Sequence, residues 1–299
     1  VTEKNRKNLN IDPALYALAE KGLEIGDFDR AISIMEELSP FHLEQYGLQY
    51  YMANEGKYKE GTTLELLYEN YKADRAVKNF LFDYLAELEV KLRNVLSAVI
   101  QDQMGNFGYL DHRNFKNHEY HENFLNEVNS EMDRANEPFV KKELKKYDDN
   151  LPIYMVTEII TFGGLSRLYD NLKDKDMARV SAYYAYPDYK DLSRNLDALA
   201  DVRNTCAHHG RLSYREFKDS CHITAEDKRI IEDLCDDRQY RINPNALFAN
   251  ILCMVRLLRA DRAQDLIKEF DRVFKDYPDF RPEWMNFPNN WKQILDEII

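Results

Sequence analysis

Apolar residues recur along most of this chain at intervals of three and four, the period of a helix with one buried face. The longest run follows Gly61-Thr62-Thr63, where Leu64, Leu67, Tyr71, Val77, Leu81, Tyr84, Leu88, Leu92, Val95 and Val99 form one stripe reaching Gly105. One irregularity is expected near Lys72. Shorter helices are predicted over 13–21 and 27–37, the second ended by Ser39-Pro40, because a residue before proline is pushed out of the helical region. Pro152 is placed to start an amphipathic helix over 153–172. Gly163-Gly164 inside it costs helix stability, which suggests close helix packing or a kink. A further buried face runs through Leu192, Leu196, Leu199, Val202 and Cys206. Thr224 with Asp227 resembles an N-cap, and Asn243-Pro244 is expected to open a last long helix reaching about Lys275.

Alternating β-branched runs are almost absent, so the prediction is an all-α bundle. Residues 106–117, with Gly108, Asp111 and His112, read as a loop, and Asn136-Glu137-Pro138 breaks the charged helical stretch after Glu119. His112, His118 and His121 are expected to be solvated. No linker, repeat or low-complexity segment divides the chain. The expected organisation is an N-terminal helical cap over 1–60, a helical core over 61–276, and a tail over 277–299 packed on that core.

Composition narrows the functional classes. The 299 residues are 44% hydrophobic, ample for a folded core, and no stretch approaches the ~18 consecutive apolar residues of a membrane span. A soluble cytoplasmic protein without a membrane partner is expected. The four cysteines, Cys206, Cys221, Cys235 and Cys253, form no C-x-x-C pair, so buried thiols are expected rather than disulfides or a zinc clip. Adjacent His208 and His209 would point about 100° apart on a helix, which argues against joint metal ligation. No metal and no cofactor is expected.

The net charge of −12 opposes general nucleic-acid binding, so the distribution of the cations matters more than the sum. Arg256, Arg259 and Arg262 suggest a basic stripe on a late helix, and Lys141, Lys142, Lys145 and Lys146 suggest another. The same runs also suit solvated helix faces. Arg203, Arg211 and Arg215 surround the most chemically suggestive stretch, Arg203-Asn204-Thr205-Cys206-Ala207-His208-His209-Gly210-Arg211.

Gly210 is expected to end the preceding helix in a left-handed conformation, leaving His208 in the last turn. Asn204 and His208 are then i,i+4 neighbours, while Arg203 is offset by roughly 140° and reaches the same place only by a long side chain. Arginine can hold two phosphate oxygens in its planar fork, and an imidazole exchanges protons near neutral pH. That pairing suits attack of an RNA 2′-hydroxyl on its own phosphate without a metal. The structural use of the same residues is helix capping, with histidine and arginine favoured near a C-terminus by the helix dipole.

Arg203-Asn204-x-x-x-His208 resembles the R-x4-6-H motif of HEPN ribonucleases, and RNTCAHHGRLSYR over 203–215 resembles the signature of the Abi-like abortive-infection family, the AbiD/AbiF group. Tyr58-Lys59-Glu60-Gly61-Thr62 followed by Leu64, Tyr71-x-x-Asp74-Arg75 and Leu85-x-x-Leu88-Glu89-x-x-x-Arg93 fall in the family's order. So do Gly108-Tyr109-Leu110-Asp111, Pro152-Ile153-Tyr154, Phe162-Gly163-Gly164-Leu165-Ser166 and Phe287-Pro288-x-x-Trp291. The family's NYYRLSGY appears instead as Ser39-Pro40-Phe41-His42-Leu43-Glu44-Gln45-Tyr46, and its RLWNR as Arg211-Leu212-Ser213-Tyr214-Arg215.

The resemblance implies a HEPN-like bundle of long antiparallel helices that forms a homodimer, since such motifs meet in pairs and this chain carries one. It also implies a toxin-like endoribonuclease of antiphage abortive infection, leaving 2′,3′-cyclic phosphate and 5′-hydroxyl ends. Arg203 would clamp phosphate, His208 would act as general acid or base, and Asn204 would orient His208 or bind phosphate. His209, Arg211 and Arg215 would support the site or bind RNA. Besides substrate RNA, the partners implied are a small structured non-coding RNA or an antitoxin. The alternative is a module that holds such an RNA without cutting it.

Overall fold

The computed structural model describes residues 11–135, 138–147, 150–186 and 188–299, with the side chains of Phe139 and Val140 left aside. The protein is an all-α bundle whose described residues contain one two-stranded hairpin. Its contacts divide into two units: residues 1–79 with 269–282, and residues 80–268 with 283–299.

The first unit begins with α1 (Ile11–Glu20), α2 (Phe28–Glu37) and the short α3 (Pro40–Glu44). Side-chain oxygens start the latter two helices. Asp27 accepts from Arg30 N, and Ser39 accepts from His42 N, each satisfying a donor that lacks a partner in the first turn. Ser39-Pro40 therefore ends one helix by starting the next. A hairpin of β1 (Tyr51–Met52) and β2 (Lys57–Tyr58) follows, with Tyr51 opposite Tyr58. Leu15, Leu18, Ile32, Met35, Leu43, Leu64 and Leu67 fill the core of this unit. Within it Asp74 is fully buried, paired with Lys78 Nζ at 3.1 Å and accepting from Tyr46 Oη at 3.2 Å.

The long helix α4 (Leu64–Met104) runs without a break, and the irregularity expected near Lys72 is absent. Lys72 instead pairs with Glu69 one turn back at 2.5 Å, and the buried stripe continues past it through Ala73 and Val77.

In the second unit the segment 106–117 contains two 3-10 turns and passes into α5 (His118–Arg134), capped by Asn117. His121 departs from the expectation of solvent exposure. It is 2% exposed, with Nε2 lying 2.7 Å from the Tyr109 carbonyl oxygen, because its position on α5 faces the core with Phe124 and Val128. His112 and His118 are exposed, their rings 4.7 Å apart. Asn136 and Glu137 of the expected breaker lie outside the described residues. The helix α6 (Pro138–Lys146) carries its four lysines on exposed positions.

The predicted helix over 153–172 is two helices, α7 (Ile153–Ile159) and α8 (Phe162–Asp170), because Ile160 turns extended and Thr161 Oγ1 caps the second by accepting from Gly164 N at 3.0 Å. The glycine pair thus sits in a first turn rather than mid-helix. A Cβ on Gly164 would lie 2.5 Å from Glu127 Oε1, so the glycine lets α8 approach α5 closely. Glu127 is pinned there by Thr161 Oγ1 at 3.2 Å and Arg167 Nη2 at 2.6 Å. Gly164→Ala should displace Glu127 and lower unfolding free energy by about 1 kcal/mol, the worth of the hydrogen bonds disturbed. A urea melt indistinguishable from the parent protein's would show that Glu127 moves aside freely.

Two further helices, α9 (Asp174–Tyr183) and α10 (Tyr189–Ala207), precede α11 (Ala225–Leu234), which Thr224 caps as expected. The late helix expected as one is again two, α12 (Leu247–Leu257) and α13 (Ala260–Asp276), separated where Leu258 turns extended. The chain closes with α14 (Trp291–Ile298). Ten of the eleven residues of α12 are buried, the polar Asn250 among them, so this helix is enclosed on almost every side. It packs against α10 and α14, and α10 in turn packs against α8 and α9.

Candidate active site

The candidate residues sit at the end of α10, whose direction is set by its buried face. Leu192, Leu196, Leu199, Val202 and Cys206 are all buried, as their spacing predicts, which leaves Asn204 and His208 exposed. Asp188 starts the helix by accepting from Lys190 N at 2.7 Å.

The helix ends in a different way from the expected one. Its last residue is Ala207, His208 is the C-cap, and the left-handed residue is His209, with φ of 57°, not Gly210. His209 N–H donates to Cys206 O at 3.2 Å and Gly210 N–H donates to Thr205 O at 2.9 Å, the paired bonds of a Schellman turn. Glycine at 210 serves close approach instead. A Cβ there would meet Thr205 Cγ2 at 3.0 Å, and Arg215 Nη1 lies 3.6 Å from the same point. Histidine tolerates the left-handed region better than most side chains but still at a cost, and non-glycine strain of this kind gathers at functional sites. His209→Gly should raise stability by about 1 kcal/mol by removing the Cβ conflict. A denaturation midpoint that falls instead would mean that the His209 side chain contributes more than its backbone costs.

Arg203 is fixed from the long helix α4. Its Nε donates to Glu89 Oε2 at 3.1 Å, its Nη1 to Asn204 Oδ1 at 3.2 Å, and its guanidinium lies over the Phe82 ring at 5.8 Å. Glu89, with a side chain only 7% exposed, is also bonded by Arg93, which in turn donates to the carbonyl oxygens of Thr157 and Glu158 at the end of α7. Two guanidiniums around one carboxylate leave the cluster one positive charge. Bonds to Glu89 and Asn204 occupy two of the five N–H donors that a guanidinium carries, so Arg203 keeps donors for a ligand. Lys91, between Glu89 and Arg93 in sequence, belongs elsewhere. It sits over the Tyr184 ring at 4.5 Å and donates to Leu257 O, and burial lowers its ammonium pKa.

His208 is exposed, and its side chain takes no hydrogen bond among the described residues. The amide of Asn204 is engaged by Arg203 rather than by His208, so an orienting role for Asn204 acts on the arginine in this structure. Arg211 and Arg215 are half-buried; the Arg215 guanidinium lies over Phe217 at 5.5 Å, and its Nε is buried without a hydrogen-bond partner among the described residues.

The Arg256, Arg259 and Arg262 stripe does not exist as a free basic face. Arg256 pairs with Asp227 at 2.5 Å, Arg259 with Asp261 at 3.2 Å, and Arg262 with Glu87 at 2.7 Å and Asp83 at 3.1 Å. The break at Leu258 also interrupts the helical register that would have aligned them. Three of the cysteines are buried and Cys235 is partly exposed, all as free thiols. Among the described residues no group of three or more His, Cys, Asp and Glu is arranged to hold a metal, and no helix is long and apolar enough to cross a membrane.

A family model described as Abi-like protein matches residues 33–213, more than half of the chain and inclusive of Glu89, Arg203 and His208. The chain belongs to the Abi-like protein family. Membership points to a function related to abortive infection. No curated protein and no solved structure gives a match. In this Abi-like protein, the sequence singles out Arg203, Asn204 and His208 as candidates but not Glu89, Arg93 and Phe82, which the structure gathers around Arg203. A signal for two of them was present: Glu89 and Arg93 are i,i+4 charges beside the apolar Leu88 and Leu92, where a charge needs a partner.

Proposed function

We propose that this Abi-like protein is a metal-independent endoribonuclease of the HEPN type, acting as the toxin-like effector of antiphage abortive infection. The observation that carries the reading is an arginine held by a buried carboxylate, with donors to spare, five residues before an exposed histidine with no side-chain bond among the described residues. Preorganisation of this kind stabilises charge that develops in a transition state.

Arg203 would hold the two non-bridging oxygens of the scissile phosphate. An imidazole would take the proton of the 2′-hydroxyl as its oxygen attacks phosphorus, and a second would protonate the departing 5′-oxygen. The bonds made and broken leave a 2′,3′-cyclic phosphate and a 5′-hydroxyl. An in-line displacement wants its base and acid on opposite sides of phosphorus, and each chain supplies one exposed His208, so two copies related by a two-fold axis complete the site. His209 and Arg215 shape the turn that presents His208, and Arg211 adds positive charge beside it.

The test is incubation of the purified protein with total RNA in EDTA, followed by end-group analysis and by sedimentation to fix the oligomeric state. Cleavage giving cyclic-phosphate ends from a dimer is expected. Cleavage that requires an added metal and survives His208→Ala would defeat the proposal, and tight retention of one structured RNA without cleavage would favour an RNA-holding module.

A further inference from the structure

A second site lies on the same helix as Arg203 but about nine residues earlier, roughly 14 Å along its axis at 1.5 Å per residue. There a cleft of about 340 Å³ is lined by Arg194, His222 and Lys228 together with the apolar Ile223, Ile242 and Pro244. His222 is firmly placed. Its backbone N–H donates to Asn195 Oδ1 at 2.6 Å, Asn195 Nδ2 donates to its carbonyl oxygen at 3.3 Å, and Asn195 is fully buried. The imidazole Nε2 lies 3.2 Å from Asp191 Oδ2, which fixes the ring.

Arg194 and Lys228 are poorly neutralised. Among the described residues Arg194 pairs only with Asp191, at 3.8 Å and with a side chain 65% exposed, and Lys228 has no ion pair. In a chain of net charge −12, whose Arg256 and Arg262 are closely matched to carboxylates, cations left to converge on one cleft are unusual. An adjoining cleft of about 460 Å³ shares Lys228 and Ile242 and adds Arg241, with Glu232 as the carboxylate on its border. The volumes fall in the range that encloses small ligands, and an arginine fork, an ammonium and an imidazole lining one cleft with apolar side chains match a phosphate attached to a flat base.

We propose that the Arg194, His222 and Lys228 cleft binds a nucleoside phosphate, separately from the Arg203 and His208 site. The same chemistry is offered by a free nucleotide and by the phosphorylated end of an RNA strand. Calorimetric titration of the full chain carrying His208→Ala distinguishes them, using ATP, AMP, and a ten-nucleotide RNA with and without a 5′-phosphate. Saturable binding is expected. It should weaken tenfold or more in Arg194→Ala and in Lys228→Ala, the loss of a charge-assisted hydrogen bond, with the melting temperature unchanged because both side chains are exposed. It should persist in Arg203→Ala, whatever becomes of the nuclease reading. Binding of ATP or AMP assigns the cleft to a free nucleotide, and binding confined to the 5′-phosphorylated RNA assigns it to a strand end. Absence of saturable binding to all four probes would overturn the proposal, as would binding that Arg203→Ala abolishes and Arg194→Ala and Lys228→Ala leave intact.

Discussion

His208→Ala is expected to reduce RNA cleavage by about 10³-fold or more and Arg203→Ala by about 10²- to 10³-fold, while leaving the fold intact. A positioned general acid or base contributes about 10² to 10⁴ in rate, and a donor aimed at developing charge contributes about 10² to 10³. A two-fold composite site loses both imidazoles in one substitution, so the effect of His208→Ala lies toward the upper end. His208 is exposed, so its removal creates no cavity, and circular dichroism should be unchanged. Arg203→Lys should recover little, since an ammonium cannot span Glu89, Asn204 and a phosphate with one planar fork. The two substitutions should not multiply, because residues acting as a unit are non-additive. Retention of cleavage by either alanine variant, with the protein folded, would remove the residue from the mechanism.

Glu89→Ala is expected to lower stability by about 3 kcal/mol, the largest stability effect of any single change at the site. The carboxylate is 7% exposed and is the common partner of Arg93 and Arg203, whose side chains are 13% and 27% exposed. Removing it leaves two adjacent cations without a counter-charge, and breaking a buried ion pair from one side costs about 3 to 5 kcal/mol; the partial exposure of Arg203 places this case at the lower end. Released from Glu89, Arg203 also loses its aim, so cleavage per folded molecule should fall about 10²-fold, as for a misplacement of 1 Å. Chemical denaturation and initial-rate assays separate the two effects. A Glu89→Ala protein within 0.5 kcal/mol of the parent would mean that the arginines find other partners and that Glu89 does not hold the site.

The helix boundaries most legible in the sequence are those with local punctuation. Asp27, Ser39, Asn117 and Thr224 are caps whose side chains accept from the backbone three residues on, so their physics is contained in a short stretch of chain. The breaks at Ile160 and Leu258 were less legible. Thr161 carried a capping signal that the surrounding amphipathic period masked, and no glycine or proline marks Leu258. His209 was missed as the left-handed residue because Gly210 next to it satisfies the usual rule, and only the contact of Gly210 with Thr205 and Arg215 shows what the glycine is for.

By itself the sequence determined that the chain is helical, where the stripe of α4 and the buried face of α10 lie, and that Arg203 and His208 share one end of a helix. These follow from a period of 3.6 and from bonds closed within a turn. What only the tertiary structure decided is which charges meet. Glu89 lies 114 residues from Arg203, and Glu87 lies 175 residues from Arg262, so the first pair holds the candidate site's arginine while the second dissolves an apparent basic stripe. A charge reads the same in sequence whether it is free or matched, because its partner is brought up by the packing of apolar faces far along the chain, and that packing sets the electrostatics of the site.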